Sequence, residues 1–255
     1  MSTDAARSVF ERLDLPDTPL AWDAYLHAAQ ETAAFVHHHS VRSYVFARAH
    51  ARNRDLRPGS DYDDELLFAS CMLHDIGLSE QGNGDQRFEV DGADVAAAFL
   101  RERGVEEHRI AIAWDAIALH TSEGIASRKC TVVALTQAGI ATDILGAQRE
   151  SLPAGLADEV HALLPRMDLA YALSDAILNQ AKANPQKASP MTFPGELLRS
   201  HLPYGAHPAD TINTLASHRA ADGIELNQDQ LTRHGDLTPA VGARHDETNM
   251  AFIDR

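Results

Sequence analysis

Leu66-Leu67-Phe68-Ala69-Ser70-Cys71-Met72-Leu73-His74-Asp75-Ile76-Gly77 is the stretch on which the reading of the chain turns. Its first eight residues are almost wholly apolar, and Asp61 to Glu65 ahead of them place acids where a helix dipole favours negative charge. The segment reads as a buried helix that ends in a histidine and an aspartate, two groups costly to bury without partners. A second His-Asp pair, His245-Asp246, lies among Arg244, Glu247 and Thr248, where solvent satisfies it. Context, and not the dipeptide, marks out His74-Asp75.

Outward from this segment the period is helical throughout, with no alternating strand pattern and no Asn-Gly hairpin. One long pattern opens at Thr18-Pro19-Leu20, runs through Trp22, Leu26, Val36 and Tyr44, and should end before Pro58-Gly59. Further helices are predicted at 91–103, 106–121, 129–145, 156–162 and 167–183, with short ones at 196–201 and 209–219. Prolines 185, 190, 194, 203 and 208 break the period beyond Asn184, and from about Asp222 the chain is polar and weakly periodic. The expected architecture is all-α, with a helical core over residues 1–220 and a polar C-terminal arm or tail over 221–255.

The chain has 255 residues, and 22 Lys and Arg against 37 Asp and Glu give a net charge of −15. That balance argues against nucleic acid or an anionic membrane as a partner. No stretch approaches 18 apolar residues, and Met1-Ser-Thr-Asp lacks a basic leader, so a cytoplasmic location is expected. Cys71 and Cys130 both sit in apolar stretches and read as buried thiols, too few for a disulfide framework. Gly-x-Ser-x-Gly, Gly-x-Gly-x-x-Gly and P-loop motifs are absent.

Three more polar residues interrupt apolar helical runs: His39 in Phe35–Phe46, His120 at the end of Ile110–Thr121, and Asp143 in Thr136–Gly146. Imidazole and carboxylate together are what Zn²⁺, Fe²⁺, Mn²⁺ or Ni²⁺ take, and helical bundles build such sites from facing side chains. In order and spacing, His39, His74-Asp75 and Asp143 resemble the H…HD…D signature of the HD-domain superfamily. The strings 39–44 (HSVRSY), 74–78 (HDIGL), 87–93 (RFEVDGA), 118–121 (ALHT) and 141–146 (ATDILG) are similar to its cyanamide hydratase branch. The resemblance covers roughly residues 35–219. It implies an all-α HD-domain bundle and a divalent metal held by His39, His74, Asp75 and Asp143.

Phe88, four residues before Gly92, stands where two-metal relatives usually carry a histidine, which favours one metal. Zinc is the first choice, because hydration needs Lewis acidity without redox, although Fe, Mn or Ni also suit the ligand set. The expected reaction is hydration of a small nitrile-like substrate, cyanamide to urea, by hydroxide formed from a metal-bound water. Asp75 would ligate and orient, Glu89 or His120 would handle the proton, Phe88 would contact substrate, and Arg42 would either contact substrate or brace Asp75 or another acid. The alternative is a phosphohydrolase for a nucleotide or other phosphate monoester, with Arg42 and Arg87 on the phosphate. The loop from Ser79 to Arg87 is expected to gate the site, and the pocket to be small and enclosed, capped by Phe193, Tyr204 and His207. The expected partner is a small-molecule substrate, with neither nucleic acid nor membrane, and the chain is compatible with a homo-oligomer.

Overall fold

The computed structural model describes residues 3–201. The arm at 221–255, the helix expected at 209–219, and the capping residues Tyr204 and His207 lie outside them. Ten α-helices and no strand occur among the described residues, so the all-α expectation holds. They are α1 (Thr3–Leu13), α2 (Pro19–Glu31), α3 (Ala34–Asn53), α4 (Asp64–Leu73), α5 (Phe88–Glu102), α6 (Glu107–Ala118), α7 (Thr131–Leu145), α8 (Leu156–Leu163), α9 (Leu169–Ala183) and α10 (Phe193–Ser200). None of these helices is long and apolar enough to cross a membrane.

Helix α4 is the hub. Asp63 caps it by accepting a hydrogen bond from the Leu66 amide at 2.9 Å, and every residue from Leu66 to Leu73 is buried. A helix apolar on all sides must lie inside the bundle, and α4 packs against α2, α3, α6 and α7. Helices α3 and α7 form the most extensive helix pair, and Gly139 is what lets them meet. A Cβ there would stand 2.1 Å from the Ser43 carbonyl oxygen and 2.8 Å from the Ala47 nitrogen. This close pair fixes His39 on α3 against Asp143 on α7.

The long helical pattern from Thr18 is two helices and not one. Thr32 and Ala33 are extended, and the Thr32 hydroxyl donates to the Ala28 carbonyl at 2.6 Å, closing α2. A threonine that bonds its own backbone competes with the helix at a position that neither glycine nor proline marks. Helix α1 went unpredicted because it buries little: Ala6, Val9 and Phe10, with Phe10 stacked on Trp22 at 3.8 Å between centroids. Helix α5 starts three residues earlier than its pattern suggests, which places Phe88 and Glu89 on its first turn. Of the two cysteines, Cys71 is buried and free, whereas Cys130 is exposed and free at the N-terminal cap of α7.

Candidate metal centre

The His-Asp pair follows the last turn of α4. His39, on the second turn of α3, and His74 and Asp75 are buried, and each offers one ligand atom within 4.8 Å of the others. The ring nitrogens are sorted by their hydrogen bonds. Nδ1 of His74 donates to the Cys71 carbonyl at 2.7 Å, and Nδ1 of His120 donates to the Ile117 carbonyl at 2.6 Å. Nδ1 of His39 is 2.7 Å from the Asp143 carboxylate. With Nδ1 as the donor, a neutral imidazole carries its lone pair on Nε2.

All three Nε2 atoms face Asp75: His74 at 3.1 Å and His39 at 4.0 Å from Oδ2, and His120 at 3.6 Å from Oδ1. His39 Nε2, His74 Nε2 and Asp75 Oδ2 are buried without a hydrogen-bond partner among the described residues. Two imidazole nitrogens and a carboxylate oxygen gathered this closely, without hydrogen-bond partners, fit a divalent metal. Burial resists ionisation of Asp75, but His74, then His120 and His39, outweigh it and hold its carboxyl well below the ordinary range. Burial, reinforced by His74, pushes His120 down to about 4, so this ring is neutral at pH 7.

Asp143 comes to His39 from the other side. Arg42 grips its carboxylate with two hydrogen bonds, Nε to Oδ1 at 2.8 Å and Nη2 to Oδ2 at 2.7 Å. Arg166 also reaches Asp143, donating to its carbonyl oxygen. Asp143 therefore stands one hydrogen bond behind His39, outside the three-residue cluster, and holds the ring by its Nδ1. A carboxylate on the outer nitrogen of a ligating histidine fixes both tautomer and orientation. Asp143, expected from sequence as a metal ligand, lies against His39 Nδ1 and outside the three-residue cluster.

Of the two roles open to Arg42, its surroundings fit the brace on an acid and not the substrate contact. Its side chain is fully buried, and its Nη1 donates to the Leu164 and Pro165 carbonyls at 3.0 and 3.1 Å while Nε and Nη2 hold Asp143. It braces an acid and does not face the cavity. Glu89 likewise faces away: Arg87 binds both its oxygens, at 2.6 and 3.1 Å, and the Thr121 hydroxyl donates to Oε1 at 2.6 Å. It positions Thr121, which lines the cavity, and does not line it itself.

A cavity of about 700 Å³ opens on His39, His74, Asp75 and His120. Phe88 lines it as expected, with Ile140, Ala141 and Ile144 from α7, Leu173 and Ile177 from α9, and Phe193 and Leu197 from α10. The volume is that of a site for a drug-sized ligand, larger than the confined pocket expected for a three-atom nitrile. No lysine or arginine is among the described residues that line it. The loop from Ser79 to Arg87 is not a flap over this cavity, since none of its residues lines it. Lys187 ties the loop down, donating to the Asn83 side chain at 2.7 Å, the Gly84 carbonyl at 2.9 Å and Asp91 at 2.6 Å.

Residues 36–163 match the HD domain family, half of the chain and the part that carries all of His39, His74, Asp75, His120 and Asp143. The chain belongs to the HD domain family. Members bind divalent metals, and membership points to metal-dependent, hydrolase-type chemistry. The match is to the HD domain as a whole and does not select the cyanamide hydratase branch. No curated protein matches the chain. Helices α9 and α10 of this HD domain protein lie beyond the matched residues; Phe193 on α10 lines the cavity as expected, whereas the part of α9 was missed. The signal was there: Leu169, Leu173 and Ile177 recur every four residues on α9, the spacing of one buried helix face.

Proposed function

We propose that the protein adds water across the C≡N bond of an uncharged nitrile-type substrate, cyanamide to urea being the simplest case. The observation that carries this reading is the cavity: it ends on the His/Asp cluster, and its described lining is mostly apolar, holds neutral polar groups such as Gln137 and Gln148 and the acid Glu123, and has no lysine or arginine. A phosphate monoester brings two negative charges, for which this lining adds no cation beyond the metal itself and does add the acid Glu123, whereas phosphate sites are commonly built with Arg, Lys or helix N-termini. Arg42 and Arg87, the cations that a phosphohydrolase would need, are engaged by Asp143 and Glu89.

His39, His74 and Asp75 would hold the metal, three protein ligands with a position left open, as catalytic sites keep. A divalent ion held there supplies Lewis acidity and lowers the pKa of water toward neutrality, with zinc sufficient because no electron is transferred. The remaining steps belong to the chain. Asp75 orients the attacking water. His120, neutral and with its lone pair on Nε2, accepts the proton as the oxygen bonds to the nitrile carbon. The same ring returns that proton to the nitrogen as one C–N π bond is lost, and tautomerisation gives the amide. Phe88, with its ring centroid 5.6 Å from that of His120, closes the apolar side and excludes bulk water. The test is elemental analysis of the purified protein, then urea release from cyanamide beside a panel of phosphate monoesters. Hydration without phosphate release is the expected result. Faster turnover of a nucleoside monophosphate would overturn the hydration reading and leave the metal centre standing.

A further inference from the structure

Cyanamide has three heavy atoms and would occupy roughly 90 Å³, at about 30 Å³ per heavy atom as in liquid water. The cavity is about 700 Å³. Most of it therefore lies away from the reacting carbon, and its far wall is built by two helices outside the matched family residues, α9 and α10. From α9 come Ala170, Leu173, Ser174 and Ile177, and from α10 Phe193 and Leu197. Leu173 and Ile177 pack with Phe88 and Val36 in a cluster separate from the main core. The wall is thus apolar, and it is continuous with the residue that touches His120.

The wall is also fixed in register with the His-Asp segment. Gln180 on α9 donates to the Gly77 carbonyl at 2.9 Å, two residues past Asp75. Lys187, in the turn between α9 and α10, is buried and paired with buried Asp91 on α5. A buried ion pair is costly to break, so the pair holds α9 and α10 at one distance from the cluster. A pre-formed, mostly apolar chamber of this size gains most binding energy from a ligand with an apolar body to place against the α9 and α10 side.

We propose that α9 and α10 form a subsite for an aromatic or branched-aliphatic substituent, so that the preferred substrates are nitriles R–C≡N with an uncharged R on the order of six to ten heavy atoms. The inference rests on the hydration reading for the C≡N end, and on the chamber alone for R. Water supplies the oxygen that bonds to carbon and the two hydrogens that end on nitrogen, so the product is R–C(=O)NH₂ and no other reactant is consumed.

The full-length, zinc-loaded protein is assayed for amide formation from cyanamide, acetonitrile, isobutyronitrile, benzonitrile and phenylacetonitrile. In parallel, benzamide and benzyl alcohol, which carry no C≡N, are titrated calorimetrically. Ser174→Phe and Ala170→Trp each push bulk into the chamber from partly or fully exposed positions on α9, so that one variant serves if the other does not fold. The expected result is kcat/KM at least about tenfold higher for the aromatic nitriles than for acetonitrile. Benzamide should bind, and both its affinity and the aromatic-to-acetonitrile ratio should fall about tenfold in the variants. Binding of benzamide and benzyl alcohol that the variants lose, with no nitrile hydrated, would sustain the subsite and sink the hydration reading. Hydration of cyanamide with no aromatic preference and no benzamide binding would overturn the subsite and leave the hydration reading intact.

Discussion

Replacing Arg42 by methionine separates a brace from a substrate contact. The guanidinium and the Asp143 carboxylate are both fully buried and share two hydrogen bonds at 2.7 and 2.8 Å. Removing one member of such a pair strands the other charge, at a cost of about 3–5 kcal/mol. The Asp143 carboxylate keeps His39 and, at 3.4 Å, Arg166 as partners, which places the cost near the lower end, about 3 kcal/mol. With a urea slope of roughly 2 kcal/mol per M, the unfolding midpoint of the metal-free protein should drop by about 1.5 M. Loss of the grip on Asp143 also loosens His39, so zinc affinity measured by competition with a chelator should fall about 10- to 100-fold. A midpoint within about 0.3 M of the parent, unchanged zinc affinity and a raised KM would refute this reasoning and put Arg42 on the substrate.

Three further outcomes follow from the same geometry. His120→Ala should lower kcat by about 10²- to 10⁴-fold while metal content stays at the parent's level; a variant that loses its metal would make His120 a ligand and not the proton relay. Gly139→Ala, whose new Cβ would meet the Ser43 carbonyl at 2.1 Å, should push α3 from α7 and cost about 1–3 kcal/mol in urea unfolding; an unchanged midpoint would mean that the close approach carries no weight. Lys187→Ala should cost about 3–5 kcal/mol by stranding buried Asp91, and Lys187→Met with Asp91→Leu should recover most of it; equal destabilisation of both would show that packing and not charge holds the latch.

The fold class was legible because nearly every element carries its own helical period, and α4 announces its burial by being apolar on all faces. The same logic found the site: His74 and Asp75 end an apolar helix, and His39, His120 and Asp143 interrupt others. What the residues could not reveal was direction. A helix period puts Arg42 one turn from His39, on its face, and leaves open whether it points to a substrate or, as the fold has it, to Asp143. Asp143 itself reads the same from sequence whether it approaches His39 by Nε2 or by Nδ1. Glu89 presents the same gap, since Arg87 two residues before it takes up both its oxygens. The boundary between α2 and α3 was hidden because Thr32 ends a helix with its hydroxyl and not with a glycine or proline. The size of the cavity depends on α9 and α10, whose placement rests on Gln180–Gly77 and Lys187–Asp91, contacts across about a hundred residues of chain.

Everything proposed for the chemistry depends on one divalent metal held by His39, His74 and Asp75, with Asp143 acting from behind. The most direct measurement is a crystal structure of the zinc-loaded protein with anomalous data at the metal edge. The expected result is one peak about 2.0–2.2 Å from Nε2 of His39, Nε2 of His74 and a carboxylate oxygen of Asp75, with Asp143 still bonded to Arg42 and to Nδ1 of His39. A peak elsewhere, no peak at full zinc occupancy in solution, or a metal coordinated by Asp143 after it has left Arg42 would contradict it.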